Sequence, residues 1–201
     1  MSNCLFPGDE SGRGLAGNWR DSMDSRLTRA ACTDLQPVED IYSNEWFTVR
    51  NRGGYFTVEN RLPQVMILPI IGDSSVVMIR VRRPVLDDCP LELPAGGMLA
   101  GEAPEDGAAR ELAEETGIVI SDKSRFIPMP PLSVSPNRNP NLIYVFRVHL
   151  SEKEYEKRLP HDEEVEGIVS LGIDDVKKKI CSGEIYVTTP VAVISSYLFR
   201  G

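Results

Sequence analysis

Apolar and polar residues change their rhythm several times along this chain, and each change marks an element. Over residues 1–37 Gly, Ser, Asp and Arg are frequent, and the apolar positions keep no period of two or of a helical turn. That composition suits a mobile arm, or a segment ordered on a partner subunit. From Glu45 the pattern tightens. Residues 46–50 and 55–59 flank Asn51-Arg52-Gly53-Gly54, which predicts a β-hairpin with glycine in its turn. Residues 64–70 and 75–81 are nearly continuous apolar runs parted by Gly72-Asp73, and they predict two buried strands. Residues 142–150 predict another strand and residues 168–171 a shorter one.

Helical signals come between and after these. Pro104 opens a stretch to Thr116 with alanines and Leu112 inside and Gly117 where a C-terminal cap belongs. Residues 174–182 carry acids first and Lys177-Lys178-Lys179 last, as the helix dipole favours, and Gly183 follows. A last helix begins near Thr189-Pro190 and sets Val191, Ile194, Tyr197 and Leu198 on one face. There is no internal repeat and no low-complexity tract. Strands dominate the first half and helices are interspersed later, so the expectation is a mixed α/β fold with helices packed on a sheet.

Composition narrows the function. The chain has 201 residues, 41% of them hydrophobic and 26% charged, enough for one well-filled domain. Its apolar runs fall well short of the ~20 residues of a membrane span. Its opening residues lack a charged stretch leading into an apolar one, so no secretory signal is expected. The net charge of −8 argues against a general nucleic-acid binder. Cys4, Cys32, Cys89 and Cys181 are scattered, with no zinc-type spacing, which suits a reduced, cytoplasmic protein. His149 and His161 form no metal-binding pattern and read as ordinary strand or surface residues.

The charge is unevenly spread. Glu102, Glu105, Asp106, Glu111, Glu114 and Glu115 lie within residues 96–118, against Arg110 alone. Upstream, Arg80, Arg82 and Arg83 form a basic cluster. On a helix, Ala109, Leu112, Ala113 and Thr116 fall on one side and Glu111, Glu114 and Glu115 on the other. Such a run is often just a solvated face, but Glu111 stands three and four residues from Glu114 and Glu115, where like charges repel. A divalent cation reverses the sign of that interaction, and hard oxygen ligands favour Mg²⁺ or Mn²⁺. The preceding loop, Leu93-Pro94-Ala95-Gly96-Gly97-Met98-Leu99-Ala100-Gly101-Glu102, can bring backbone close to a metal or a phosphate, and Glu102 can return to pair with Arg110 in a structural ion pair.

Gly96, then Glu102, then Arg110-Glu111-Leu112-Ala113-Glu114-Glu115-Thr116-Gly117-Ile118 resembles the Nudix box, GX5EX7REUXEEXGU, at every specified position. The resemblance implies an α/β/α sandwich around a mixed β-sheet; with the unpatterned N-terminal arm (1–37) set apart, the domain is expected at 38–201, β-hairpin included. It also implies Mg²⁺-dependent hydrolysis of a nucleoside diphosphate linked to another moiety. By the family pattern Glu111 and Glu115 are the principal metal ligands, assisted by Glu114 and the carbonyl of Ala95.

Arg82-Arg83-Pro84 followed by Leu91-Glu92-Leu93-Pro94-Ala95-Gly96 resembles the ADP-ribose and ADP-sugar pyrophosphatases, whose segment reads QYRxP…ELPAG. Arg82 falls at the arginine of that pattern, while Arg80 and Val81 replace Gln-Tyr. Pro136 resembles a proline of the subfamily, displaced by three residues. The resemblance implies hydrolysis of ADP-ribose to AMP and ribose 5-phosphate, with Arg80, Arg82 or Arg83 on the substrate. It implies a catalytic base from the loop His161-Asp162-Glu163-Glu164-Val165-Glu166, led by Glu163 with Glu164 and Glu166 as alternatives, and a homodimer formed through the hairpin. Other substrates, such as a GDP-sugar, a dinucleoside polyphosphate or an oxidised nucleotide, stay open, as does a nucleotide-binding module without turnover.

Overall fold

The computed structural model describes residues 24–199. Strands β1 (Val38–Ser43), β2 (Phe47–Arg52) and β3 (Tyr55–Asn60) form a small antiparallel sheet, with β2 and β3 joined through Gly53-Gly54 as the hairpin pattern predicts. Strand β1 is an addition to the expected hairpin, and all six of its residues are exposed, so no buried face announced it in the sequence. The expected arm at 1–37 falls partly outside the described residues. Its described part holds a 3-10 turn at Ser25–Leu27, and the Pro37 carbonyl accepts the Gly53 N–H at 2.9 Å, which fastens the end of the arm to the hairpin turn.

The larger sheet comprises β4 (Gln64–Ile71), β5 (Ser75–Val81), β6 (Leu91–Glu92), β7 (Ala95–Gly97), β8 (Ile127–Ser133), β9 (Leu142–Leu150) and β10 (Val165–Gly172). Its main path runs β10-β5-β4-β9-β8, with β6 on β5 and β7 on β4. Strands β4 and β9 are parallel and the other pairs antiparallel, which makes the sheet mixed. Helix α1 (Pro104–Thr116) covers one face, packing Ala108, Ala109 and Leu112 on Val65, Ile67, Val77 and Phe146. Helices α3 (Ile173–Ser182) and α4 (Thr188–Leu198) cover the other, where Val176, Val193 and Ile194 meet Met66, Leu68, Val76 and Met78. Both faces being buried explains why β4 and β5 read as apolar runs without alternation. A short helix, α2 (Glu152–Glu156), starts with a reciprocal capping box between Ser151 and Glu154.

Pro69 lies in the middle of β4 without breaking it. Ile67 donates its N–H to the Pro94 carbonyl at 2.8 Å, so the odd-numbered amides of β4 point toward the β5 and β7 side. There β4 pairs with β7 only at Gln64, Val65 and Met66, and with β5 only at Ile70 and Ile71. The missing N–H of Pro69 falls in the gap between them. That gap admits the 93–97 segment into the sheet. The prolines at 128, 130 and 131 are tolerated because β8 is an edge strand with an irregular register between Met129 and Leu132.

Candidate active site

Two glycines fix how α1 meets its surroundings. Gly117 ends the helix at φ +68°, and a Cβ there would overlap the Leu159 carbonyl. Leu159 donates its N–H to the Gly117 carbonyl and Asp162 donates to the Glu114 carbonyl, each at 2.8 Å, so the acidic loop after α2 is laced to the end of α1. Gly96 stands at the other approach. A Cβ on it would collide with the Glu111 carboxylate, so a larger residue there would push that carboxylate from its place. Ala95 donates its N–H to Glu115 Oε2 at 2.8 Å, which anchors β7 to the second carboxylate.

Arg110 organises the rest. Its Nε and Nη2 donate to the two oxygens of Glu102, both at 3.0 Å, giving the expected bidentate pair, and Nη2 also donates to the Gly97 carbonyl at 2.7 Å. Glu102 in turn accepts the Leu99 N–H, closing the loop over the helix start. The pair does more than lock the loop, because Arg110 Nη1 donates to both Glu111 and Glu114 at 2.8 Å. One cation therefore serves three carboxylates. It holds Glu102 below the usual carboxylate range. Burial nevertheless pushes Glu111 up, and it pushes Glu115 up to about 8, against the Ala95 hydrogen bond.

Among the described residues no three His, Cys, Asp or Glu side chains converge at metal-ligand distance, since Glu111 and Glu114 share Arg110. The donor set still suits a hard divalent cation. Glu111 and Glu115 are desolvated carboxylates one helical turn apart, pressed against the backbone of Ala95 and Gly96, and Glu115 has no hydrogen-bonded cation among the described residues.

The three arginines separate by strand parity. Val77, Ile79 and Val81 of β5 point toward the α1 side, while Val76 and Met78 point toward α3 and α4. Arg80 shares the second face: it donates to the Cys89 carbonyl at 3.3 Å and lies 3.9 Å from Glu184, just beyond α3. Arg82 is bonded to the exposed Asp87. Arg83 alone falls on the α1 side, where its charge is felt by Glu115 and by Glu164 of the acidic loop. Its guanidinium donates from Nε and Nη2 to Glu92 at 2.7 and 3.0 Å. Glu92 is 7% exposed and was not among the expected site residues. Its signal was present in the sequence, as an acid between Leu91 and Leu93, which both point into the opposite core.

The remaining candidates are dispersed. Glu166 Oε2 accepts the Cys89 thiol at 3.2 Å, while Glu163 and Glu164 are exposed. Pro136 is exposed in the β8–β9 loop, whose Arg138 carbonyl accepts the Val58 N–H of β3 at 2.7 Å and whose Asn141 side chain accepts the Asn60 N–H. That loop is thus docked on the small sheet.

A family model described as NUDIX domain matches residues 60–188. The chain belongs to the NUDIX family. The domain so defined contains the large sheet, α1, α2 and α3, with the small sheet before it. Among curated proteins, an ADP-ribose pyrophosphatase of Bacillus subtilis (strain 168) is 31% identical over 123 residues, which are 61% of this chain and 64% of that protein. A methanol dehydrogenase activator of Bacillus methanolicus is 30% identical over 131 residues, 65% of this chain and 69% of that protein. The aligned segment thus spans just under two thirds of the pyrophosphatase. Among solved structures, a crystal structure of an ADP compounds hydrolase superposes with a TM-score of 0.61 at 20% identity, over 82% of this chain and 90% of that one, which establishes the shared fold.

Proposed function

We propose that this NUDIX protein is a Mg²⁺-dependent pyrophosphohydrolase that cleaves ADP-ribose to AMP and ribose 5-phosphate. The observation that carries the reading is the meeting of the desolvated Glu111 and Glu115 with Arg83, a cation on the same face as the acidic helix. The likeness to a pyrophosphatase of ADP-ribose supports the choice of substrate. Glu111, Glu115 and the Ala95 carbonyl would hold the metal, with Glu114 assisting. A bound divalent cation neutralises diphosphate oxygens and lowers the pKa of an attached water. Arg83 then binds diphosphate oxygens by charge-assisted hydrogen bonds, and Arg110 keeps the helix carboxylates in place.

A carboxylate takes the proton as the water oxygen bonds to one phosphorus and the bridging P–O bond breaks, its electron pair leaving with the departing phosphate. Glu164 is our choice for that base over Glu163, because its charge reaches Arg83. Glu166 is already engaged by Cys89. The reading includes a cytoplasmic location, supported by free Cys32, Cys89 and Cys181, and a homodimer through the small sheet, supported by exposed Trp46, Tyr55 and Phe56. No helix among the described residues is long and apolar enough to cross a membrane.

The test is product analysis with Mg²⁺ across a panel of nucleotides. Release of AMP from ADP-ribose is expected. Failure there, with rapid cleavage of a GDP-sugar or a dinucleoside polyphosphate, rejects the substrate. Comparing Glu163→Gln, Glu164→Gln and Glu166→Gln locates the base, and Glu164→Gln should cost roughly a hundredfold or more in kcat.

A further inference from the structure

We propose that Glu92 is a positioning residue that holds Arg83 as a diphosphate-binding fork and keeps it from collapsing onto the acidic helix. The inference rests on the reading above that the site takes a diphosphate. Arg83 follows the end of β5, and its backbone N–H donates to the Asp88 carbonyl at 2.9 Å, so the main chain is pinned where the strand turns back toward β6. Its side chain then runs back to Glu92. Both oxygens of Glu92 are used, one by Nε and one by Nη2, in the parallel geometry that fixes a guanidinium plane. Nη1 has no hydrogen-bond partner among the described residues, and the side chain is 43% exposed against 10% for Glu92. The buried half of the pair is thus the anchor, and the open half carries the free donors.

The surroundings explain why an anchor is needed. Arg83 is within electrostatic reach of Glu115 and Glu164, and Glu115 has no cation of its own. An unanchored guanidinium would pair with one of these carboxylates and occupy the place where substrate and metal meet. Glu92 satisfies the arginine from behind with a carboxylate that β6 holds rigidly opposite Ile79.

The test measures binding of inorganic pyrophosphate in the presence of Mg²⁺ by calorimetry, together with ADP-ribose kinetics, for wild type, Arg83→Ala, Glu92→Gln and the double variant. Arg83→Ala and Glu92→Gln should each weaken pyrophosphate by about tenfold or more, and the double variant should be no weaker than Arg83→Ala alone. KM for ADP-ribose should rise in step, while the Mg²⁺ concentration for half-maximal activity stays within about twofold. A merely structural Glu92 would lower thermal stability and leave pyrophosphate affinity unchanged. That result, or additive losses in the double variant, overturns the proposal, as does a wild type that binds no pyrophosphate. Should Glu92→Gln fail to fold, Arg83→Lys replaces it. That variant keeps the charge without the two parallel bonds, and pyrophosphate affinity equal to wild type would then refute the anchoring role. If pyrophosphate binding follows the expected pattern but ADP-ribose is not cleaved, the substrate assignment fails and the role of Glu92 stands.

Discussion

Two clusters of arginine and glutamate lie in this molecule, one on the small sheet and one along α1, and their charges are balanced in opposite ways. On the small sheet Arg50 and Arg52 both donate to Glu59, Thr57 adds its hydroxyl at 2.6 Å, and Asp40 takes the remaining Arg50 bond at 2.7 Å. Cations match anions, and the Arg52 hydrogen bond leads in lowering Glu59 to about 2. Along α1 a single Arg110 serves Glu102, Glu111 and Glu114, Glu115 has only a backbone donor among the described residues, and burial pushes Glu115 up to about 8. The first cluster is complete as it stands and fastens three short strands. The second has more carboxyls than cations, and burial shifts Glu111 and Glu115 toward their protonated forms, a shift that a bound divalent cation would reverse. The two clusters differ in that balance more than in the residue types used.

The comparison breaks most visibly at Glu115. Glu115→Gln should lower turnover by more than about a hundredfold, beyond the cost of losing an outer partner of a metal ligand, with folding intact by circular dichroism. Without metal its melting temperature should match or slightly exceed wild type, since a carboxyl that is costly to ionise in its buried place is replaced by a neutral amide. Near-normal activity at saturating Mg²⁺ would remove Glu115 from the ligand set.

Arg110→Ala tests the deficit from the other side. It leaves Glu102, Glu111 and Glu114 without their shared cation, and urea titration should show a loss of about 2–4 kcal/mol in metal-free buffer. Added Mg²⁺ should recover part of that loss, by more than it stabilises wild type. An equal Mg²⁺ effect in both proteins would show that the carboxylates do not share an ion.

Glu59→Gln should cost roughly 2 kcal/mol and leave kcat unchanged, because its partners all lie within the small sheet. The pH dependence has a definite sign. A folded-state pKa held at about 2, below the ordinary carboxylate value, gives stability that is fully present above about 4.5 and is lost as pH falls toward 2. The variant's stability should therefore change less than wild type's across that acid range, and parallel acid limbs would contradict the assignment.

The smallest effect is expected at Arg82. It sits beside exposed Asp87 and away from the α1 face, so Arg82→Ala should shift KM for ADP-ribose by about twofold at most, as an exposed pair suggests. A larger rise would mean that the end of β5 turns over when substrate binds.

Much of this was legible from local pattern. Residues 104–116, with proline at the first turn and glycine after the last, define α1 without help from the rest of the chain, because caps act within a few residues. The strands at 64–71, 75–81 and 142–150 declared themselves through apolar runs long enough for a core covered on both faces. The spacing of Gly96, Glu102, Arg110, Glu111, Glu114 and Glu115 placed the acidic cluster and the Glu102–Arg110 pair for the same reason. Tertiary structure decided what depends on partners distant in sequence. Strand β1 has no buried residue and exists only through pairing with β2, and β8 keeps its prolines only because it is an edge. The placing of Arg83 against Glu92 and within electrostatic reach of Glu115 and Glu164 arises because β5, β6, α1 and the acidic loop come together in the fold, held by backbone bonds such as Asp162 to Glu114. A local sequence records which chemical groups are present and how they alternate; which carboxylate ends up desolvated, and which arginine faces it, is set by the packing of elements far apart along the chain.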